Sequence, residues 1–203
     1  MLKALWLSLL IGCGGSQAGA IDPEPECQGG KVWHQDDALR FAGCEVIVGD
    51  LRLGGALVDA SSFAGLQRVQ GSVQIGPSYQ LNNLASMSQL ERIEGGLVVE
   101  GNWQLRGLFL GRLAYVAGGV RVSGNTQLQN LSLHGLVRLG GPLEVRDNPV
   151  LERIDLSLLR EVPAGGHTSG KKLQEVLRPP GLSDEDIGLE KGQSEAVPGP
   201  ALY

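Results

Sequence analysis

Hydrophobic and polar residues alternate in a segment that recurs along the chain with a period of about 23 residues. The shared pattern is L-x-x-V-x-G-x-V-x-V-x-x-N-x-x-L-x-x-L. Alternation with a period of two, rich in β-branched residues, predicts a strand with one buried face. A fixed period in the twenties is typical of a solenoid, in which each repeat packs on its neighbours. The copies begin at Leu66, Leu90, Leu113 and Leu136, with a divergent copy at Cys44 and a fragment at Leu159.

Each repeat contains two aliphatic clusters, which predict two sides of one core. The first is a pair of inward strand positions after a glycine bend, and the second is a Leu-x-x-Leu/Ile triplet further along. Stacked in register, these clusters predict an all-β solenoid of about five closed coils, spaced about 4.8 Å apart. The strand pairs are Val73/Ile75, Leu97/Val99, Val120/Val122 and Leu143/Val145.

One asparagine returns at the end of the predicted strand in three repeats, at positions 102, 125 and 148. The chain turns there, and a side-chain amide carries both a donor and an acceptor for the unpaired backbone groups of the turn. We therefore expect Asn102, Asn125 and Asn148 to form a structural ladder, which weakens at the earlier corner, where Ser78 takes this place. A ligand site lined by these asparagines is the alternative.

The first twenty residues have the composition of an export signal, with Lys3 before an apolar run over residues 4–11 and small residues after it. A buried N-terminal strand is the alternative. "LIGC" (residues 10–13) resembles a bacterial lipobox, in which Cys13 is acylated and anchors the protein to a membrane. "AGA" (residues 18–20) fits a cleavage site that releases a soluble protein. Either ending predicts a protein outside the cytoplasm, with residues 21–26 as a linker.

Two cysteines remain when Cys13 is acylated or removed. Cys27 and Cys44 form an even pair in an oxidising compartment, which favours a disulfide. A disulfide here would close a loop of about 15 residues and contribute about 3 kcal/mol to stability. Two free thiols, or half of a metal site, are the alternatives.

The flanks of the repeats differ from the repeats themselves. Residues 28–43 are predicted to form a helix, with Asp36 and Asp37 near its start, that caps the apolar end of the solenoid. The repeat stops after Val162. Residues 163–172 are predicted to be a loop, residues 171–177 a short helix or second cap, and the remainder to residue 203 a disordered tail.

Composition narrows the classes of function. A formal net charge of −5 argues against nucleic acid or an anionic membrane surface as the main partner. The histidines have no nucleophile at a recognisable spacing, and the carboxylates are scattered rather than clustered. The Gly-Gly pairs recur with the repeat, so they indicate structure rather than a phosphate loop. The sequence therefore predicts no catalytic residue, no metal and no cofactor.

Residues one period apart should lie side by side on the surface of a solenoid. One such column reads Arg68, Arg92, Tyr115 and Arg138, and another contains Tyr79 and Trp103. One interpretation is that long polar side chains solvate an exposed face. The other is that Tyr79 and Trp103, together with the arginine column, form a recognition patch for a protein or a glycan.

The residues at the start of the solenoid resemble a known family. "DALRFAGCEVIVGDLRL" (residues 37–53), followed by coils of the type L-x-x-I-x-G-x-L-x-V-x-x-N, is similar to the receptor L domain, and the likeness covers residues 27–162. This domain is the ligand-binding lobe of the insulin and epidermal growth factor receptors. The resemblance implies a short right-handed parallel β-helix with a disulfide-pinned N-terminal helical cap. A leucine-rich-repeat horseshoe is the alternative, because "LVVEGN" (residues 97–102) is close to its L-x-L-x-x-N core.

These observations together predict a non-catalytic recognition or adhesion module that acts outside the cytoplasm. It would be a cell-surface or outer-membrane lipoprotein, or a secreted protein, and its partner would be an unidentified protein or glycan. A structural protein of the cell envelope and a carbohydrate-active β-helix enzyme are the alternatives.

Overall fold

The structure is a computed structural model of the 203-residue chain that describes residues 26–160 and the backbone of two short strands at 167–168 and 175–177. All strand pairs in this part of the chain are parallel. The strands are β1 (Glu26–Val32), β2 (Val46–Gly55), β3 (Arg68–Val69), β4 (Val73–Ser78), β5 (Arg92–Ile93), β6 (Leu97–Glu100), β7 (Gly107–Phe109), β8 (Tyr115–Val116), β9 (Val120–Ser123), β10 (Asn130–Ser132), β11 (Arg138–Leu139), β12 (Leu143–Arg146), β13 (Arg153–Asp155), β14 (His167–Thr168) and β15 (Glu175–Leu177).

Each repeat folds into one coil with three sides. The two-residue strands β3, β5, β8 and β11 stack as the first side, and β4, β6, β9 and β12 stack as the second. The long strand β2 pairs with both β3 and β4, so the two sides belong to one 11-stranded sheet. The third side is a separate sheet of four strands, β7, β10, β13 and β15. The core lies between the three sides.

The chain bends between the first and second sides at a column of glycines. A Cβ atom on Gly71 would lie 2.5 Å from the carbonyl carbon of Gly49 in the preceding coil. Gly71 therefore lets the backbones of successive coils approach each other at this corner, where the Ser72 N–H also donates to Asp50 Oδ1 at 2.8 Å, and the strand that follows begins in register. Leu97, Val120 and Leu143 pair in that register, and all three are buried.

The third side changes conformation along the stack. The early coils carry short 3-10 helices here, at Leu39–Phe41, Ser61–Phe63 and Ala85–Gln89, whereas later coils carry strands. Phe41 and Phe63 are buried with their ring centroids 5.3 Å apart. One buried column continues through both conformations: Phe41, Phe63, Met87, Leu110, Leu133 and Leu156.

The prediction of a mainly β solenoid built from parallel strands is confirmed. A leucine-rich-repeat horseshoe has one strand per repeat on its concave face. Here a repeat such as residues 115–132 contributes three strands, β8, β9 and β10, on three sides. The closed-coil architecture is therefore correct, and the horseshoe alternative is wrong.

The helix predicted over residues 28–43 is wrong in its first part. Glu26–Val32 forms β1, which pairs with β2 as a further coil, and the helix α1 spans only Gln35–Ala38. Two adjacent glycines disfavour a helix. Gly29 also packs where a Cβ atom would lie 2.4 Å from the Asp50 carbonyl oxygen, so its lack of a side chain lets β1 stack on β2.

The start of α1 is fixed by one carboxylate. Asp37 accepts hydrogen bonds from the backbone N–H groups of Trp33, at 3.0 Å, and His34, at 3.1 Å. These two hydrogen bonds lower the pKa of Asp37. Asp36 and Asp37 lie in the first turn of α1, as predicted, but the helix begins at Gln35, after the strand β1.

The predicted disulfide between Cys27 and Cys44 is confirmed, with their Cα atoms 5.9 Å apart. It ties β1 to Cys44, two residues before β2 begins, across a sequence separation of 17. We expect the double variant Cys27→Ser/Cys44→Ser to lose about 3 kcal/mol of unfolding free energy, because the unfolded chain regains the entropy of that loop. Urea unfolding measures the loss, and reductant should shift the wild-type midpoint but not that of the variant. Equal midpoints for the two oxidised proteins would contradict this expectation.

The solenoid continues beyond residue 162, so the predicted boundary is wrong. β14 pairs with β12, within residues predicted as a loop, and β15 pairs with β13, within residues predicted as a short helix. The open edges of β12 and β13 present unpaired backbone groups that favour an added strand. Along the second side, β1 and β14 extend the stack formed by β2, β4, β6, β9 and β12.

Several predictions for the ends of the chain lie outside the described residues. These are the export signal over residues 1–20, the acylation of Cys13, the linker up to residue 25 and the tail after residue 177. Among the residues that are described, no helix has the length and apolar character needed to cross a membrane.

Candidate recognition surfaces

The asparagine ladder lies inside the corner between the second and third sides. Asn125 Oδ1 accepts hydrogen bonds from the backbone N–H of Asn102, at 3.1 Å, and from its Nδ2, at 3.0 Å. Asn148 Oδ1 accepts the same two bonds from Asn125, at 3.0 and 3.1 Å. Each Nδ2 also donates to backbone carbonyls, as Asn125 does to Val99 at 3.0 Å. These buried amides are committed to backbone and to one another, so they do not line a surface site.

The ladder ends at Asn102. Asn102 Oδ1 is buried and has no hydrogen-bond partner. The residue in the preceding coil is Ser78, whose N–H donates to the Gly101 carbonyl at 3.3 Å and whose hydroxyl donates to the Gly55 carbonyl at 3.1 Å. The serine side chain is too short to extend the ladder and satisfies its own turn instead.

An aromatic corner, formed by Tyr79 and Trp103, lies just beyond the ladder on the outside of the coil. Tyr79 is 54% exposed and Trp103 is 65% exposed. The backbones before them are joined by a parallel bridge between Ser78 and Asn102, and the Trp103 N–H donates to the Ser78 carbonyl at 2.9 Å. The two rings are thus carried by adjacent coils on a fixed backbone. Among the described residues the one aromatic ring pair is that of the core phenylalanines, so Tyr79 and Trp103 are not stacked on each other.

An arginine–tyrosine column, formed by Arg68, Arg92, Tyr115 and Arg138, runs along the first side. These residues are direct register partners in β3, β5, β8 and β11. The Arg92 guanidinium lies 4.1 Å from the centroid of the Tyr115 ring, and that of Arg138 lies 5.5 Å from it. The column lines an open groove of about 410 Å³, to which Glu91 and Gln67 also contribute.

Carboxylates flank the arginine–tyrosine column. Glu94 accepts a hydrogen bond from Arg92 Nε and a second from its Nη2, at 3.3 Å. The contact with Arg92 lowers the pKa of Glu94. Glu91 pairs with Arg112 at 2.6 Å, and Arg112 also donates to Gln89 in the preceding coil at 2.5 Å. Arg112 was not among the residues predicted from the sequence, although it lies 23 residues after Gln89, the same period that defines the other columns.

The two columns lie at different places on each coil, and the binding patch predicted from Tyr79, Trp103 and the arginine column stays a prediction. The arginine–tyrosine column comes before the glycine bend, on the first side. The aromatic corner comes after the whole second-side strand, at the boundary with the third side. The period places residues within one column but does not give the position of one column relative to another.

Residues 43–134 match the family model described as Receptor L domain. This part of the chain belongs to the receptor L domain family. Receptor L domains are ligand-binding, extracellular, non-enzymatic modules with a β-helix-like solenoid fold. Comparison with the curated proteins and with the solved structures gave no match.

The receptor L domain match spans the coils from β2 to β10. It includes the aromatic corner and most of the arginine–tyrosine column, whereas Arg138 lies just beyond its end. In the described part of the chain, no group of three or more His, Cys, Asp or Glu residues is placed to hold a metal ion.

Proposed function

We propose that this receptor L domain is a non-catalytic recognition module that acts outside the cytoplasm and binds a protein or a glycan at the aromatic corner. The observation that carries the proposal is the exposure of Tyr79 and Trp103, at 54% and 65%, on adjacent coils. Tyrosine and tryptophan provide large contact areas with few rotatable bonds and are enriched where proteins bind partners.

The backbone beneath the aromatic corner supports this role because it is already ordered. The Ser78–Asn102 bridge and the hydrogen bond from Trp103 N–H to Ser78 hold both residues on the coil. The Thr126 hydroxyl donates to the Trp103 carbonyl at 3.2 Å from the next coil. A partner that binds here would pay little entropy for ordering the loop, which favours affinity.

An envelope location follows from the N-terminal residues under the same proposal. The apolar run over residues 4–11 and the "LIGC" motif favour export and acylation of Cys13, which would anchor the solenoid to a membrane. The intact mass of the mature protein from its native host tests this. A chain that begins at an acylated Cys13 supports the anchored form, one that begins at Ile21 supports a secreted form, and one that retains Met1 excludes both.

The double variant Tyr79→Ala/Trp103→Ala tests the recognition surface. We expect the mature wild-type protein to bind a printed glycan array or intact cells of the source organism saturably. The double variant should bind at least about tenfold more weakly, because two desolvated aromatic contacts are lost. Phe109→Ala is the matched control, since Phe109 is also an exposed aromatic residue, at 51%, but lies on the third side in β7. Equal binding by the wild type and the double variant would rule out the aromatic corner as the binding surface.

A further inference from the structure

The arginine–tyrosine column contains a cation, an aromatic ring and a second cation on three successive rungs. Arg92, Tyr115 and Arg138 are register partners in β5, β8 and β11, so their Cα atoms follow one another at the rung spacing of about 4.8 Å. The Tyr115 ring contacts both guanidinium groups, at 4.1 and 5.5 Å from its centroid. Two arginine side chains are thus held in one line by the ring between them.

This arrangement orders side chains that are usually mobile. Stacking of a guanidinium on an aromatic ring is attractive, and Glu94 fixes Arg92 further through its Nε and Nη2 atoms. Arg138 is exposed, and its guanidinium lies against the Tyr115 ring, a contact that uses none of its N–H groups as a hydrogen-bond donor. A pre-ordered guanidinium presents a planar fork of donors that matches a carboxylate or a sulfate.

The charge around the groove is opposite to that of the chain. The chain carries a formal net charge of −5. Around the groove, however, Arg68, Arg92, Arg112 and Arg138 outnumber the two carboxylates, Glu91 and Glu94. A local excess of positive charge on a negative protein favours an anionic ligand at this place.

We propose that the arginine–tyrosine column is a second binding site, distinct from the aromatic corner, that takes a linear acidic polysaccharide through its carboxylate or sulfate groups. The groove is open, so a polymer can pass along it across several rungs. Its charges would meet guanidinium groups that recur along the solenoid axis.

The lining of the groove favours a polysaccharide over an acidic peptide or a nucleic acid. Glu91 lines the groove with 45% of its side chain exposed, beside Gln67. A carboxylate repels a purely anionic ligand, but it accepts hydrogen bonds from sugar hydroxyls. The aliphatic side chains in the lining are those of Ala114 and Val137, both small, and the Tyr115 ring already contacts two guanidinium groups, so the groove offers no deep pocket for the anchoring residue of a peptide.

The test uses the mature chain and four immobilised probes: polygalacturonate, dextran sulfate, neutral dextran and poly-L-glutamate. We expect the wild type to bind polygalacturonate or dextran sulfate, more weakly as salt is raised, and to leave neutral dextran unbound. The arm that binds identifies the anionic group as carboxylate or sulfate. Arg92→Ala/Arg138→Ala should weaken binding by at least about tenfold, since each charge-assisted contact contributes about tenfold or more.

Three further proteins make the result specific. Arg146→Ala, which removes an exposed arginine of β12 on the second side, should bind within about twofold of the wild type. Arg92→Lys/Arg138→Lys keeps both charges but loses the planar forks, so it should bind more weakly than the wild type and more tightly than the alanine pair. Tyr79→Ala/Trp103→Ala should keep its polysaccharide binding, so a failure of the aromatic corner would not be confused with a failure of this site. The thermal unfolding midpoint of each variant is measured first, and only variants whose midpoint equals that of the wild type are compared. If the alanine pair unfolds, the single variant Arg138→Glu replaces it.

Three outcomes would overturn the proposal. The first is no binding of the wild type to either acidic polysaccharide. The second is equal binding by the wild type and by the variants at Arg92 and Arg138. The third is binding of poly-L-glutamate as tight as that of the polysaccharides, which would point to an acidic protein instead.

Discussion

Replacing Asn125 with alanine is expected to lower the free energy of unfolding by about 3 to 4 kcal/mol, because it removes the middle of the ladder. Asn125 Oδ1 is the acceptor for both the backbone N–H and the side-chain amide of Asn102. Its Nδ2 donates to Val99, Ser123 and Asn148. The truncation leaves a buried N–H of the preceding coil without a partner, and an unsatisfied buried group costs more than a hydrogen bond normally contributes.

Asn102→Ala is the matched control for this prediction. Asn102 is as fully buried as Asn125, so a similar cavity forms in both variants. Asn102 Oδ1, however, accepts no hydrogen bond, so its removal leaves no donor of the preceding coil unpaired. We expect Asn102→Ala to cost about half as much as Asn125→Ala in urea unfolding. A larger loss for Asn102→Ala would show that the cavity, rather than the orphaned donor, determines the cost.

The features that the sequence predicts well are those that repeat. In a solenoid, a fixed sequence spacing becomes a fixed spatial adjacency, so the alignment that found the period also placed Arg92, Tyr115 and Arg138 side by side. The inward positions of the second side follow from the same alternation. The disulfide could be predicted because the predicted export signal and the even cysteine count restrict the choices.

The features that the sequence did not predict depend on contacts outside the repeat. β1 has no copy of the repeat motif, and the reason for a glycine at position 29 is the close approach of the Asp50 backbone in β2, which the sequence does not show. Leu84 and Leu108 occupy equivalent positions in the triplet, yet a 3-10 helix follows the first and a strand contains the second. The strand β15 is selected by the open edge of β13, which is a tertiary effect rather than a local propensity.

The same distinction explains the surfaces. Spacing predicts which residues share a column, but the angle between two columns depends on where the coil turns. The glycine bend and the asparagine corner put the arginine–tyrosine column and the aromatic corner on different sides. Two binding sites are therefore proposed where the sequence suggested one.

Replacing Gly76 with alanine is expected to cost about 4 kcal/mol of unfolding free energy, because two effects add. Gly76 has φ of 109°, a conformation that L side chains rarely adopt. A Cβ atom here would also lie 1.8 Å from the Glu100 carbonyl oxygen and 2.9 Å from Asn102 Nδ2. The backbone of the next coil would have to move, and with it the end of the ladder.

Gly49→Ala separates the two effects. Gly49 has φ of 95°, close to that of Gly76, but a Cβ atom on it would meet no heavy atom within 4 Å. We expect this variant to lose only the cost of the backbone conformation, about 1 to 2 kcal/mol. Urea unfolding of the two variants beside the wild type measures the difference, which belongs to the contact between β4 and β6. Equal losses would mean that the coils can separate at Gly76 without a cost in free energy. The close contact between β4 and β6 would then not be what stabilises the backbone beneath the aromatic corner.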